Sequence, residues 1–523
     1  MNQRAPAQPA PPQDAAERRT STASPVAPVP PVLPVPIDRT RAWFLIAAVV
    51  AASVSACRCS GEQERRAHGK PQRHSNGQSG QQTGGGGGGS SSSMSIPSDL
   101  DEDTFRRWLL AETGEVKKLA MASELAYWKA TASGRQEDYS EWAAAELAKK
   151  QHYSNRSLYT YLRLQREAGI VRDPVLERQL DVLYQSSLPN QLDEKMLEAM
   201  VSSSADLENR FNTFRAEIDG KRVSDNDIER VLAESNDSKE RRQAWEASKG
   251  VGALLAGDVI KLVKLRNQAA RQLGFSDYYE LALVVEDLDE TTLNALLDEL
   301  ARQTDEPFRR VKAELDKTLA ARFEIPVTDL RPWHYGDRFF QEPPASDDAI
   351  DSWYHGRNVV ELALRYYESL GLPARKVIER SDLQGREGKY QHAYCTNIDR
   401  DGDVRVMVSV VDNAYWMDTL LHELGHAVYS LGSTSDPALP YLLREAASSF
   451  TTEGVAILMG RFASNPYWIQ RMQTTDPSPG SSPPPAAGGA RTHGCLGALV
   501  FARWGLVVVK FERELYRNPD QDL

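Results

Sequence analysis

Helical periodicity governs this chain almost without interruption, and one stretch departs from it. From an N-cap-like start at Ser98-Asp99-Leu100-Asp101 to about Ala320, apolar residues recur every three or four positions, which places them on one face of an α-helix. Thr104–Ala132, Tyr139–Glu167 and Asp225–Gly250 carry the pattern most plainly. Trp108, Tyr127, Trp128, Tyr139 and Trp142 fall on the apolar stripes and read as core packing. No a/d heptad is sustained, so a globular helical array is expected and not a coiled coil. The exception lies between Lys389 and Val410. Lys389–Ile398 and Asp403–Val410 flank Asp399-Arg400-Asp401-Gly402, a hairpin-turn signature, and Val404, Val406, Val408 and Val410 alternate with Arg405, Met407 and Ser409. That is the period of a strand with one buried face. The expected fold class is mainly α, with a small β-hairpin.

Twelve residues after Val410 stands His422-Glu423-Leu424-Gly425-His426, inside the proline-free helical stretch Tyr415–Ser430. Positions i and i+4 share a helix face, so both imidazoles point the same way. Two nitrogens so placed can grip one Zn²⁺, with Glu423 set to take a proton from water that the metal activates. Chance pairing is the competing explanation; with nine histidines in 523 residues, the metal reading is preferred. A third ligand is then needed. A metzincin would carry Gly three residues after His426 and His three further on, but Tyr429 and Gly432 stand there, which excludes that class. The remaining option is a glutamate on a following helix, Glu445 or Glu453. In Ser449–Phe462, Phe450, Glu453, Ile457 and Gly460 share one stripe. Glu453 thus projects toward the apolar interior, where a carboxylate is costly unless a cation stabilises it. Glu453 is favoured as the ligand, and Glu445 reads as a group that caps or orients its neighbours. His334 and His355, set among aromatics, read as packing residues, and Cys395 as a buried thiol.

Charge and composition narrow the partners. Residues 1–75 hold ten Lys/Arg against five Asp/Glu, so a net charge of −11 leaves −16 on residues 76–523. An acidic body argues against nucleic acid and leaves peptides open. Residues 1–41 form a Pro/Ala-rich leader expected not to fold. Ala42–Ala56, at the start of segment 42–57, is too short for an ordinary membrane span and suits a secretory signal. It ends Val54-Ser55-Ala56-Cys57, which resembles the lipobox of bacterial lipoproteins, so a lipid or apolar anchor to the membrane and a place in the bacterial cell envelope are expected. Residues 58–97 read as a Gly/Ser-rich linker, residues 98–523 as the folded domain, and 476–494 as an irregular insertion within it.

HELGH followed by LREAASSFTTEGVAILMGR resembles the gluzincin zinc metallopeptidases of the angiotensin-converting-enzyme type, particularly their bacterial relatives. His392-Ala393-Tyr394-Cys395 falls where that family carries a substrate-binding edge strand. The resemblance spans roughly 98–468 and 496–523 and is strongest over 389–468. It implies a two-lobed helical ellipsoid with a deep central cleft, the hairpin lying beside the zinc helix. It also implies cleavage of oligopeptides, often by releasing C-terminal dipeptides. Carried over, His422, His426 and Glu453 bind Zn²⁺, Glu423 is the general base, and His392 and Ala393 meet the substrate. The family's substrate-holding Lys and His and its oxyanion-stabilising Tyr, all downstream of the third ligand, find no match here; Tyr516 stands in a different context. A C-terminal truncation is therefore expected, and with it two alternatives: a catalytically impaired peptide-binding relative, and an internally cleaving enzyme of the thimet-oligopeptidase type.

Overall fold

The computed structural model describes residues 95–344, 348–446, 448–475 and 487–521. The leader, the 42–57 segment with Cys57, most of the linker and residues 476–486 lie outside them. Among the described residues no helix is long and apolar enough to cross a membrane.

Helix α1 (Glu102–Ser133) begins where the Asp101 side chain accepts a hydrogen bond from Thr104 N and ends at Gly134, whose φ of +67° is open to glycine. Periodicity alone runs on from Tyr139 to Glu167. The chain instead breaks into α2 (Gln136–Tyr153) and α3 (Arg156–Ala168), because Asn155 accepts from Ser157 N and Leu158 N and starts a new helix. Helices α4 (Pro174–Ser187) and α5 (Glu194–Thr213) follow. Next comes a two-stranded hairpin, β1 (Ala216–Ile218) and β2 (Lys221–Val223), inside sequence expected to be helical. Its turn is Asp219-Gly220, both at positive φ, the Asp-Gly pair that tight hairpins demand. Helices α6 (Asp225–Glu234), α7 (Ser238–Ser248) and α8 (Gly250–Gln272) divide the stretch read as one segment, Ser224 and Asp237 capping the first two. Helices α9 (Tyr278–Val285) and α10 (Glu290–Arg322) complete this part of the array. Helix α1 packs on α2, α2 on α5, and α5 on α8.

After α11 (Asp348–Tyr354), α12 (Val359–Ser369) and the short α13 (Arg375–Ile378) come β3 (Tyr394–Asn397) and β4 (Val404–Met407), paired antiparallel with Tyr394 opposite Met407. Both strands are shorter than alternation suggests. Beyond Met407 the chain pairs with another partner: Val408 N donates to Asp382 O and Val410 N to Leu383 O. Helices α14 (Ala414–Thr434), α15 (Ser449–Gly460), α16 (Pro466–Thr475) and α17 (Ala487–Arg517) close the order. Helix α17 starts inside the stretch read as irregular to 494, and it packs against α10. The molecule is thus mainly helical, with two small hairpins.

Candidate metal and active site

Helix α14 has two faces with different work. Trp416, Leu420, Leu424 and Ala427 are buried in a core with Trp353, Tyr367, Val404, Val406 and Ile469, and that burial holds the helix in place. His422 and His426 stand one turn apart on a face turned toward α15. The two helices approach closely because position 425 is glycine: a Cβ there would lie 2.7 Å from the Ala456 Cα. Only hydrogen fits, so the fourth residue of the motif sets the spacing at which α15 offers its own side chains.

Glu453 is what α15 offers. His422 Nε2 and His426 Nε2 are 3.1 Å apart; His422 Nε2 lies 3.5 Å from Glu453 Oε2 and His426 Nε2 lies 3.5 Å from Glu453 Oε1. Among the described residues these three form the one cluster whose donor atoms converge as a metal site would need. A tetrahedral ion with bonds of ~2.0–2.1 Å holds its donors about 3.3 Å apart, so the spacing fits Zn²⁺, as does the donor set of two imidazoles and a carboxylate. Burial pushes the Glu453 carboxyl up to about 8 and the His422 imidazole down to about 4, and holds His426 well below its ordinary value. Neutral imidazoles are the ligand form, and a carboxylate whose charge its surroundings disfavour, with the Glu423 carboxyl also near it, is what a cation would stabilise. The His426 Nδ1 lies 2.8 Å from Thr452 Oγ1.

Glu423 is 7 % exposed. Burial first, and Glu453 second, raise its carboxyl well above the usual range, against the backbone N–H of Cys395, which donates to it. That bond ties β3 to the motif. The Tyr367 hydroxyl donates to Leu421 O at 2.6 Å, and the Asn226 side chain bridges Trp416 Nε1 (3.0 Å) and Ser409 O (3.3 Å). One turn and more before His422, Tyr415 is 52 % exposed, yet the surrounding protein, with Glu229 and other charges near it, pushes its phenol up.

The other residues singled out in the sequence stand outside the donor cluster. His392 stacks on Phe211 at 5.3 Å and meets Tyr390 edge-on; Ala393 packs against the core around α14. Glu445 pairs with Arg400 of the hairpin turn at 2.7 Å and is not in the donor cluster. His334 is buried against Phe323 and Trp333 with Ser238 Oγ at 2.8 Å, and His355 pairs with Asp351. Cys395 is half-buried. Tyr516 is buried with Arg266 on its hydroxyl. Sequence reasoning missed Thr452, the Cys395 N–H, Tyr367 and Asn226. Only Thr452 carried a local signal, its place in the helical turn that holds Glu453.

Among known families, the chain matches the one described as angiotensin-converting enzyme, a peptidase family, over residues 99–330. The match ends before the β3–β4 hairpin and before every residue of the donor cluster. No curated protein matches the chain.

Proposed function

We propose that the chain is a zinc-dependent peptidase that hydrolyses oligopeptides and releases dipeptides from their C-termini. The observation that carries the reading is the convergence of His422, His426 and Glu453 with Glu423 buried beside them. The match over 99–330 supports it from a different part of the chain, so the helical array and the site point to one chemistry independently. His422, His426 and Glu453 would hold Zn²⁺, which when bound supplies Lewis acidity that polarises a peptide carbonyl and acidifies water. Glu423 takes a proton from the attacking water on a carboxylate oxygen and returns it to the amine nitrogen as the C–N bond breaks. Its upward-shifted carboxyl moves in the direction needed by a group that must both accept and release a proton. The Cys395 N–H fixes where that carboxylate points.

The test is a quenched fluorescent peptide incubated with the purified chain, with chelator, and with chelator followed by Zn²⁺. Cleavage that the chelator abolishes and Zn²⁺ restores is expected. Zinc retained at one equivalent with no chelator-sensitive cleavage would leave a peptide-binding protein instead. Peptides with free and amidated C-termini separate the modes of cutting: dipeptide release requires the free carboxylate, and equal cleavage of both would mean internal cleavage.

A further inference from the structure

We propose that Thr452 is a positioning residue for the metal ligand His426. The inference rests on the zinc-site reading above. A neutral imidazole carries one proton on two nitrogens, and the nitrogen that binds a cation must be the bare one. His426 Nε2 faces His422 and Glu453, so the proton belongs on Nδ1. There the Thr452 hydroxyl oxygen waits at 2.8 Å. Accepting the Nδ1–H fixes both the tautomer and the ring plane. Thr452 also directly precedes Glu453 in the first turns of α15. One helical turn thus supplies a ligand and the support of a second ligand, and the glycine contact between Gly425 and Ala456 holds that turn in register with α14. The support is a neutral hydroxyl and not a carboxylate, so it orients the ring without adding negative charge next to the site.

The test uses the full 523-residue chain with Thr452→Val, which keeps the branched shape and deletes the acceptor, and Thr452→Ser, which keeps the hydroxyl. Zn²⁺ affinity is read by competition with a chromophoric chelator, and geometry by the visible spectrum of the Co²⁺-loaded protein. Thr452→Val is expected to bind Zn²⁺ about 10–100-fold more weakly and to shift the Co²⁺ bands, with its metal-free melting temperature little changed; Thr452→Ser restores both. Thr452→Ala serves as a second acceptorless variant should the valine disturb folding. A valine variant with wild-type affinity and spectrum overturns the proposal, as does equal loss in valine and serine. Failure of the unaltered chain to bind Zn²⁺ overturns the zinc reading itself, and that measurement comes first.

Discussion

Glu423 and Glu453 are two neighbouring carboxylates to which the proposed function gives different duties, and single substitutions should separate them. Glu423→Gln keeps size and hydrogen-bonding reach but cannot accept a proton. It is expected to retain a full equivalent of zinc and lose about 10²–10⁴ in kcat, read by metal analysis beside the peptide assay. Glu453→Ala removes a ligand and is expected to lose most of the zinc; undiminished zinc there would reject the assignment. A third carboxylate, Glu146, works for stability alone. Burial would raise it, but Lys149 at 2.6 Å and Lys150, with Ser123 of α1, hold it down at about 2. A folded pKa below the unfolded one contributes stability that is complete above about pH 4.5 and drains as pH falls toward 2. The contribution is on the order of 2–3 kcal/mol. Glu146→Gln should therefore lower the melting temperature at pH 7 and flatten its fall below pH 4.5. The pairing of His422 with His426 was legible in the sequence because helix spacing converts directly into a shared face, and the stripe through Glu453 pointed to the side on which it meets them. The hydrogen bonds made by Thr452 and by the Cys395 N–H were not, since a bond between two elements leaves no periodic trace in either; for Thr452 the sequence showed only that it shares a turn with Glu453.

At the scale of elements, the α14–α15 contact decides whether the donors meet, and two glycines of the same helix test it. Gly425 has no room for a Cβ, which would sit 2.7 Å from backbone, while at Gly432 nothing lies within 4 Å. Gly425→Ala forces the helices apart. It is expected to cost about 1–3 kcal/mol as overpacking and to weaken zinc binding by carrying Glu453 away. Gly432→Ala gains helix propensity at no steric cost and should stabilise by up to about 1 kcal/mol with zinc affinity unchanged. Thermal melts and chelator competition on both variants provide the check; equal behaviour would mean the helix spacing does not depend on glycine. Element types were readable where a single period persisted, and boundaries failed where a cap overrode it. Asn155 and Asp237 each start a helix within text that looks continuous. Asp219-Gly220 shows the converse, a turn signal present in the sequence but outweighed by the helical text around it. Strand β4 stops pairing with β3 at Met407, while its other edge, from Val406 to Val410, bonds residues 382–383, and nothing in the local alternation reports a partner more than twenty residues earlier in the chain.

Residues 382–391 form one of the links between the helical array that matches a peptidase family and the segment that carries the donor cluster; the Asn226 bond to Trp416 is another. The 382–391 strap ties into α1, where Tyr390 N donates to Thr131 O and Arg386 to Ala132 O. It also meets the β1 region, where Arg215 donates to Lys389 O at 3.0 Å, and α6, where Asp225 N donates to Gln391 Oε1 at 2.9 Å. Lys389 is fully buried and spends its ammonium on Asp382 and on the Gln384 and Val408 carbonyls. Beyond the strap, His392 and Ala393 lead into β3 and its bond to Glu423. Distant packing should therefore reach the Glu423 carboxylate without moving His422, His426 or Glu453. Gly134 supplies the means, because a Cβ on it would fall 2.0 Å from Gly388 O. Gly169 is the matched control: it too ends a helix at positive φ, +59°, but nothing lies within 4 Å of its Cβ position. Both alanine variants carry the left-handed strain of about 1–2 kcal/mol; only Gly134→Ala also pushes the strap. Gly134→Ala is expected to lose more stability than Gly169→Ala and to lower kcat, with zinc affinity intact because α14 and α15 hold all three donors. Equal kcat in the two variants would show that the strap is scaffolding with no hold on Glu423. A fall in zinc affinity would mean instead that the array positions the donor cluster itself.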